Sequence, residues 1–262
     1  MRIPLYQIDA FAEEPFTGNP AAVCPLEAWL PDGVMQAIAA ENNLSETAFF
    51  VPEGPEGYRL RWFTPTVEVD LCGHATLAAA FVVFRWLKPG RDSITFETEK
   101  AGMLTVTRER DRLALDFPAR PAVPCAIPER LATALGKRPS AVLAARDYLA
   151  VYDSADDIAA LTPDFGAVAA LDRFAVIATA PGREGIDFVS RFFAPARGVA
   201  EDPVTGSAHC TLIPYWAERL GRNHLEARQL SRRGGALSCE LRGERVTIAG
   251  SATLYLEGMI TI

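Results

Sequence analysis

The sequence predicts an α+β chain of two similar domains produced by internal duplication. Two observations carry that expectation. The segment Arg61-Trp-Phe-Thr-Pro65 returns as Arg191-Phe-Phe-Ala-Pro195, 130 positions later in a chain of 262 residues. Each copy then runs through a polar loop to a glycine that opens an apolar helix, Gly73 before Leu77 to Phe84 and Gly206 in Asp202-Pro-Val-Thr-Gly-Ser207. Each copy thus reads as strand, loop and helix, with Gly-His in one first turn and Gly-Ser in the other.

A helix start exposes unpaired N–H groups and the positive end of the dipole, so a small residue there lets an anion approach the backbone. Either glycine alone could do no more than permit a tight turn. Its repetition favours a functional role, and two such starts facing each other would clamp a carboxylate.

The remaining elements follow from local patterning. Residues 3–9 alternate as a first strand, and Phe16-Thr-Gly-Asn-Pro20 places a turn before a second. Pro31 and Asp32 start a helix through about Asn42, with proline where its missing N–H costs little. In Leu44 to Val51 the period of two puts Leu44, Glu46, Ala48 and Phe50 on one face. Tyr58 to Phe63 leads into the first glycine turn, and a helix runs from Gly73 to about Leu87. Strands are expected near residues 93–98, 103–107 and 113–117. Pro118, Pro121, Pro124 and Pro128 then mark a linker, which divides the chain into domains 1–117 and 118–262. The second half repeats the order, with strands near 174–179 and 187–193, a helix from Gly206 to Leu220, and strands near Leu225, Leu237, Val246 and Leu254.

Composition narrows the function classes. A 49% hydrophobic share is enough to fill a core in each half, and a formal net charge of −7 argues against nucleic acid or an anionic membrane as partner. No apolar run reaches the length of a membrane span and the N-terminus lacks a signal-peptide pattern, so a soluble cytoplasmic protein is expected. Five scattered cysteines do not form a disulfide framework, and reduced thiols are expected.

Four residues stand out for chemistry. Glu46 lies on an apolar strand face, an expensive place for a charge. Such a carboxyl either gives and takes a proton in catalysis or is satisfied by a partner the pattern does not reveal. His74 follows the first glycine, where the helix start disfavours an imidazolium, so either a neutral hydrogen-bonding ring or a simple cap is expected. Asp202 and Ser207 flank the second glycine turn; they either cap the helix or engage a ligand, Asp202 by pairing with His74 or a ligand amine. Cys72, His74, His209 and Cys210 contain zinc-type ligands, but adjacent residues on a helix diverge by about 100°, so no metal is expected. Cys72 is read as a buried spectator or, less simply, a nucleophile.

The segments Gln7-Ile-Asp-Ala-Phe11, Phe16-Thr-Gly-Asn-Pro20, Asn43-Leu-Ser-Glu-Thr-Ala48, Cys72-Gly-His-Ala-Thr76 and Glu201-Asp-Pro-Val-Thr-Gly-Ser207 together resemble the phenazine biosynthesis PhzF-like family, in order and over nearly the whole chain. The resemblance implies the diaminopimelate epimerase fold: two domains, each a central helix wrapped by a curved, barrel-like sheet, with the active site in the cleft between them. It also implies that the tail from about residue 252 returns to the first domain, and that the protein forms homodimers. The best-understood activity of the family isomerises a dihydro-hydroxyanthranilate without a cofactor. The residues matching its machinery are Glu46 as proton carrier with His74, Asp202 and Ser207. Gly73, His74, Gly206, Ser207 and Asn19 are the implied substrate-binding positions.

Cofactor-free epimerases of the wider superfamily use two thiols, one near each central helix start. Here Cys72 matches the first, Thr205 stands at the second, and Cys210 lies further into its helix. The expectation is therefore a cofactor-independent isomerase of a small carboxylate. A two-base racemase, a hydrolase using Cys72 or a metal, and a non-catalytic metabolite-binding protein are the alternatives.

Overall fold

The computed structural model describes residues 1–54 and 57–262. They form two compact units, one of Met1–Asp116 with Ala249–Ile262 and the other of Phe117–Ile248.

In the first unit the strands are β1 (Arg2–Ala10), β2 (Asn19–Pro25), β3 (Glu46–Glu53), β4 (Gly57–Phe63), β5 (Glu68–Val69), β6 (Ser93–Thr98), β7 (Gly102–Glu109) and β8 (Arg112–Pro118). Helix α1 (Asp32–Asn42) connects β2 to β3, which pair in parallel, and α2 (Gly73–Val82) lies between β4 and β6, which also pair in parallel. Antiparallel contacts join β1 to β2, β3 to β4, β6 to β7 and β7 to β8. Parallel neighbours need a crossover, and the two helices supply it.

The crossover helix α2 is apolar all round, so it is stable only where every side is covered. His74 to Ala80 and Val82 are all buried, and α2 packs against β1, β2, β3 and β7. Its last turn widens into a π-type turn, Val83–Leu87, within the helix that the sequence extends to Leu87. The expected strand at Leu44 begins instead at Glu46. Asn43 closes α1 in the left-handed region (φ 49°), its N–H on the Ala39 carbonyl, and the chain needs Leu44 and Ser45 to turn into the sheet.

The second unit contains β9 (Val123–Pro124), α3 (Glu129–Leu135), β10 (Ala141–Ala144), β11 (Tyr148–Val151), α4 (Ala155–Ala159), α5 (Phe165–Ala169), β12 (Val176–Pro181), β13 (Phe188–Ala194), β14 (Val199–Asp202), α6 (Gly206–Leu220), β15 (His224–Gln229), β16 (Gly235–Arg242) and β17 (Arg245–Gly250). Its pairings repeat those of the first unit. β10 to β11 is antiparallel, β11 to β12 parallel, β12 to β13 antiparallel, β13 to β15 parallel across α6, and β15 to β16 antiparallel. The duplication reaches side-chain detail. Arg61 grips both oxygens of Glu68 (2.7 and 2.7 Å), and Arg191 grips both oxygens of Glu201 (2.7 and 3.0 Å). The last strand, β18 (Ala252–Thr261), pairs antiparallel with β1 and so belongs to the first unit.

The proline-rich stretch after β8 is not a free linker. Pro214 sits inside α6 and cannot donate to the Cys210 carbonyl; the Arg120 N–H takes that carbonyl at 2.8 Å. Val123 and Pro124 add a short strand to β10, and the Ala119 N–H bonds the Glu244 carbonyl. Among the described residues no helix is long and apolar enough to cross a membrane.

Two glycines give opposite expected outcomes. Gly18 has φ +66°, and an added Cβ would press into the Ala10 carbonyl and lie 2.8 Å from the Ala12 Cβ. Gly18→Ala should therefore cost at least about 2 kcal/mol. Gly33, in α1, has nothing within 4 Å of an added Cβ. Gly33→Ala should stabilise by about 0.5 kcal/mol. Denaturant unfolding of both variants checks the pair; equal effects would contradict the packing described.

Candidate active site

In the first unit, β2, the start of β3 and the start of α2 bring Asn19, Ser45, Glu46, Cys72 and His74 together. Glu46 is the first residue of β3, opposite Ala21 of β2, with Ala48 and Phe50 of the same face fully buried. Its Oε2 lies 3.1 Å from Nε2 of His74, the second residue of α2, in an ion-pair approach and not along an aligned hydrogen bond. The other ring nitrogen, Nδ1, is 3.2 Å from the Asn19 amide and 3.4 Å from the Cys72 thiol. Ser45 donates to Oδ1 of Asn19 at 3.1 Å and so orients its amide. Asn19, a substrate-binding position by resemblance, is fully buried and turns its side chain on the His74 ring.

The pKa of His74 is shifted in the direction opposite to the one its helix position implies. Burial opposes the imidazolium, but Cys72 and Glu46 on its two sides more than reverse this and hold its pKa well above the ordinary 6.5. The Cys72 thiol is itself pushed up to about 11, mainly by burial and then by the Glu46 charge, so it is uncharged near neutral pH. The direction of the His74 shift thus rests on both neighbours, the Cys72 sulfur at Nδ1 and the Glu46 carboxyl at Nε2, acting against burial and the helix dipole.

Glu46, Cys72 and His74 place ligand-type atoms within 4.8 Å of one another. His74 meets Cys72 with one nitrogen and Glu46 with the other, so its ring stands between them and a single ion could not touch all three without the ring turning.

In the second unit, α6 starts as α2 does. Thr205 precedes Gly206 as Cys72 precedes Gly73, and neither caps its helix with a side-chain hydrogen bond. The first-turn N–H groups of both helices are thus not taken by a capping side chain of that residue. The Thr205 hydroxyl bonds the Asp202 carboxylate. Gln229, fully buried, braces this turn: its amide donates to the Asp202 carbonyl at 2.7 Å and accepts the Thr205 N–H at 2.9 Å. Ser207, at the position equivalent to His74, accepts from Arg146 at 3.2 Å. His209 bonds the Thr205 carbonyl through Nδ1, and burial lowers its pKa to about 4; the Cys210 thiol leans on the Gly206 carbonyl. Both of these groups are turned to the helix backbone.

Ser45, Gln229 and Arg146 escaped the sequence reading. Ser45 adjoins Glu46, but its partner is 26 residues away; Gln229 and Arg146 act on a turn 24 and 61 residues distant. No local pattern signals such contacts. A cavity of about 780 Å³ lies at the far end of α6, lined by Pro118, Pro214, Ala217, Glu218 and Arg222, and none of these site residues lines it.

The His74 pair has a pH signature. Because the folded pKa is raised, its stabilising contribution is fully present below about 6.5 and is lost as pH rises through the higher folded value. The stability advantage over His74→Asn should shrink with rising pH above neutrality. Imidazole ¹⁵N shifts should report a protonated ring at pH 6.5, and a neutral ring at that pH would contradict the assignment.

Comparison with known proteins agrees with this arrangement. The family model of phenazine biosynthesis-like proteins, PhzC-PhzF, matches residues 8–258. An uncharacterised isomerase of Pseudomonas aeruginosa is 55% identical over 261 residues, 99% of each chain. The crystal structure of a PhzF family protein from Enterococcus faecalis matches with a TM-score of 0.97 and 49% identity, over 100% of both chains. A predicted epimerase of P. aeruginosa, at 21% identity and a TM-score of 0.74 over 99% of both chains, shares the fold. The chain belongs to the phenazine biosynthesis-like family, with its diaminopimelate epimerase-like fold, and is an enzyme of the isomerase class.

Proposed function

We propose that the enzyme isomerises a small carboxylate by proton transfer through Glu46, with a cyclic substrate similar to a dihydro-hydroxyanthranilate as the model. The observation that carries this reading is the buried contact of Glu46 with His74, 3.1 Å, backed by Asn19 and Ser45. In the reaction the Glu46 carboxylate takes a proton from a carbon next to an activating group; that C–H bond breaks and its electron pair moves into the substrate π system. The protonated carboxyl then returns the proton to a second carbon on the same face. No electrons leave the substrate, so a double bond moves and the formula is unchanged. A protonated His74 keeps Glu46 in place and offers a donor to charge that develops on the substrate.

Asp202 and Ser207 enter the proposal as substrate-binding residues, because they flank the helix start that the duplication equates with that of His74. Assembly as a cytoplasmic homodimer is the accompanying expectation.

The two-base racemase reading is less well supported. Thr205 occupies the place equivalent to Cys72, and its hydroxyl is committed to Asp202. A hydroxyl has no accessible anion near neutral pH. Cys210 is a full turn into α6, and burial raises its thiol to about 11.

Glu46→Gln should fold and should lower kcat by roughly 10²- to 10⁴-fold, the usual contribution of a positioned acid/base. Cys72→Ser should stay within a few-fold of the wild type. Incubation in deuterated water with small cyclic and amino carboxylates, followed by NMR, should show deuterium incorporated with retention of face. Full exchange by Glu46→Gln, or racemised substrate together with an inactive Cys72→Ser, would overturn the one-base mechanism.

A further inference from the structure

The cavity of about 780 Å³ in the second unit has the size of a small-molecule site, and the proposed chemistry makes no use of it. Its wall is held by main-chain hydrogen bonds at three places. The Arg120 N–H takes the Cys210 carbonyl that Pro214 leaves unpaired, at 2.8 Å; the Ala119 N–H takes the Glu244 carbonyl at 2.8 Å; and the Leu241 N–H takes the Asn223 carbonyl at 3.0 Å. Pro118, Pro121, Pro214, Ala217 and Leu241 give it an apolar lining. Proline has little backbone freedom to lose, and the segments that carry these rings are already tied down, so a ligand would meet a preformed surface.

The charges around this lining select the class of ligand. Glu218, Glu244 and Arg222 are the charged residues that line the cavity. Arg222 is committed to the Asp187 carboxylate, which lies outside the lining, so its charge is already balanced. Among the described residues neither Glu218 nor Glu244 has a side-chain partner. The neighbouring arginines turn elsewhere: Arg219 to the Tyr215 hydroxyl and the Trp216 ring, and Arg242 to Glu240. Ala217 and Glu218 also belong to the last turn of the 15-residue α6, so the negative end of its dipole falls at the same place. The cavity therefore favours a cation. A divalent metal wants six or more oxygen ligands, which a wall of prolines does not supply, whereas an organic cation brings an apolar body to match that wall.

We infer that this cavity is a binding site for a small organic amine, a primary ammonium group on an apolar body. The ammonium donates to the Glu218 and Glu244 carboxylates, and the body packs on Pro118, Pro121 and Pro214. Such a ligand carries the charge opposite to that of the carboxylate substrate proposed for the isomerase, so the site serves a second molecule.

The test titrates the full-length protein calorimetrically with phenethylammonium and with its neutral isostere, phenethyl alcohol. Wild type should bind the amine at least about tenfold more tightly than the alcohol. Glu218→Gln and Glu244→Gln, both at exposed positions where the fold is not at stake, should each weaken the amine several-fold and leave the alcohol unchanged; together they should remove the preference. Glu13→Gln, at an exposed position of the first unit, is the control and should change nothing. Backbone amide NMR shifts on adding the amine should centre on residues 217–223 and 241–244. No amine binding by wild type, equal affinity for the two probes, amine binding indifferent to both substitutions, or shifts centred on other residues would each overturn the inference. Glu46→Gln should bind the amine as wild type does, whatever its turnover, so the amine site and the proton carrier stand or fall separately.

Discussion

A carboxylate at the half-buried start of a strand, beside an apolar face, needs a partner, and much of the first unit is arranged to supply one. Glu46 opens β3 beside fully buried Ala48 and Phe50, where an isolated charge would be prohibitive. His74 answers it from the first turn of α2 at 3.1 Å, and this requires the helix to begin at Gly73, close to the sheet. The pair then sets the state of its neighbours. The Glu46 charge helps to push the Cys72 thiol up, and Asn19 and Ser45 are committed to fixing the ring. Because α2 is buried on every side, none of these groups can relax far without disturbing the core.

Duplication has placed different residues on one repeated scaffold. The bidentate pairs Arg61–Glu68 and Arg191–Glu201 clamp the same point of each repeat, where a short strand returns toward the helix start. Beyond that clamp the residues diverge. Where the first unit has Cys72 and His74, groups that titrate, the second has Thr205 and Ser207, hydroxyls that do not titrate near neutral pH. The helix start of the first unit thus carries groups that titrate, and that of the second carries hydroxyls held in hydrogen bonds.

Much of the architecture was legible because it is local. Period-two alternation located Glu46 on an apolar face, and glycine followed by an apolar run located α2 and α6 at their first residues. The proline cluster was correctly seen as a break in composition but not as bound structure. Its fixing depends on Pro214, which frees a helix carbonyl for Arg120 some 90 positions earlier in the chain. Leu44 was drawn into β3 because alternation continues through it, whereas the left-handed Asn43 ends α1 too late for the strand to start there.

The sequence by itself determined the duplication, the two helix starts and the residue types at them, because repeat spacing, helical period and strand period are properties of neighbouring residues. Tertiary structure decided what those residues do to one another. The pKa of His74 is raised by Cys72 beside it and by a carboxyl 28 positions away that approaches to 3.1 Å. The role of Ser207 as an acceptor depends on Arg146, 61 positions away, and the orientation of the Thr205 hydroxyl depends on Gln229. The strength and even the direction of such effects change over a few ångströms, and those distances exist only once the chain has folded.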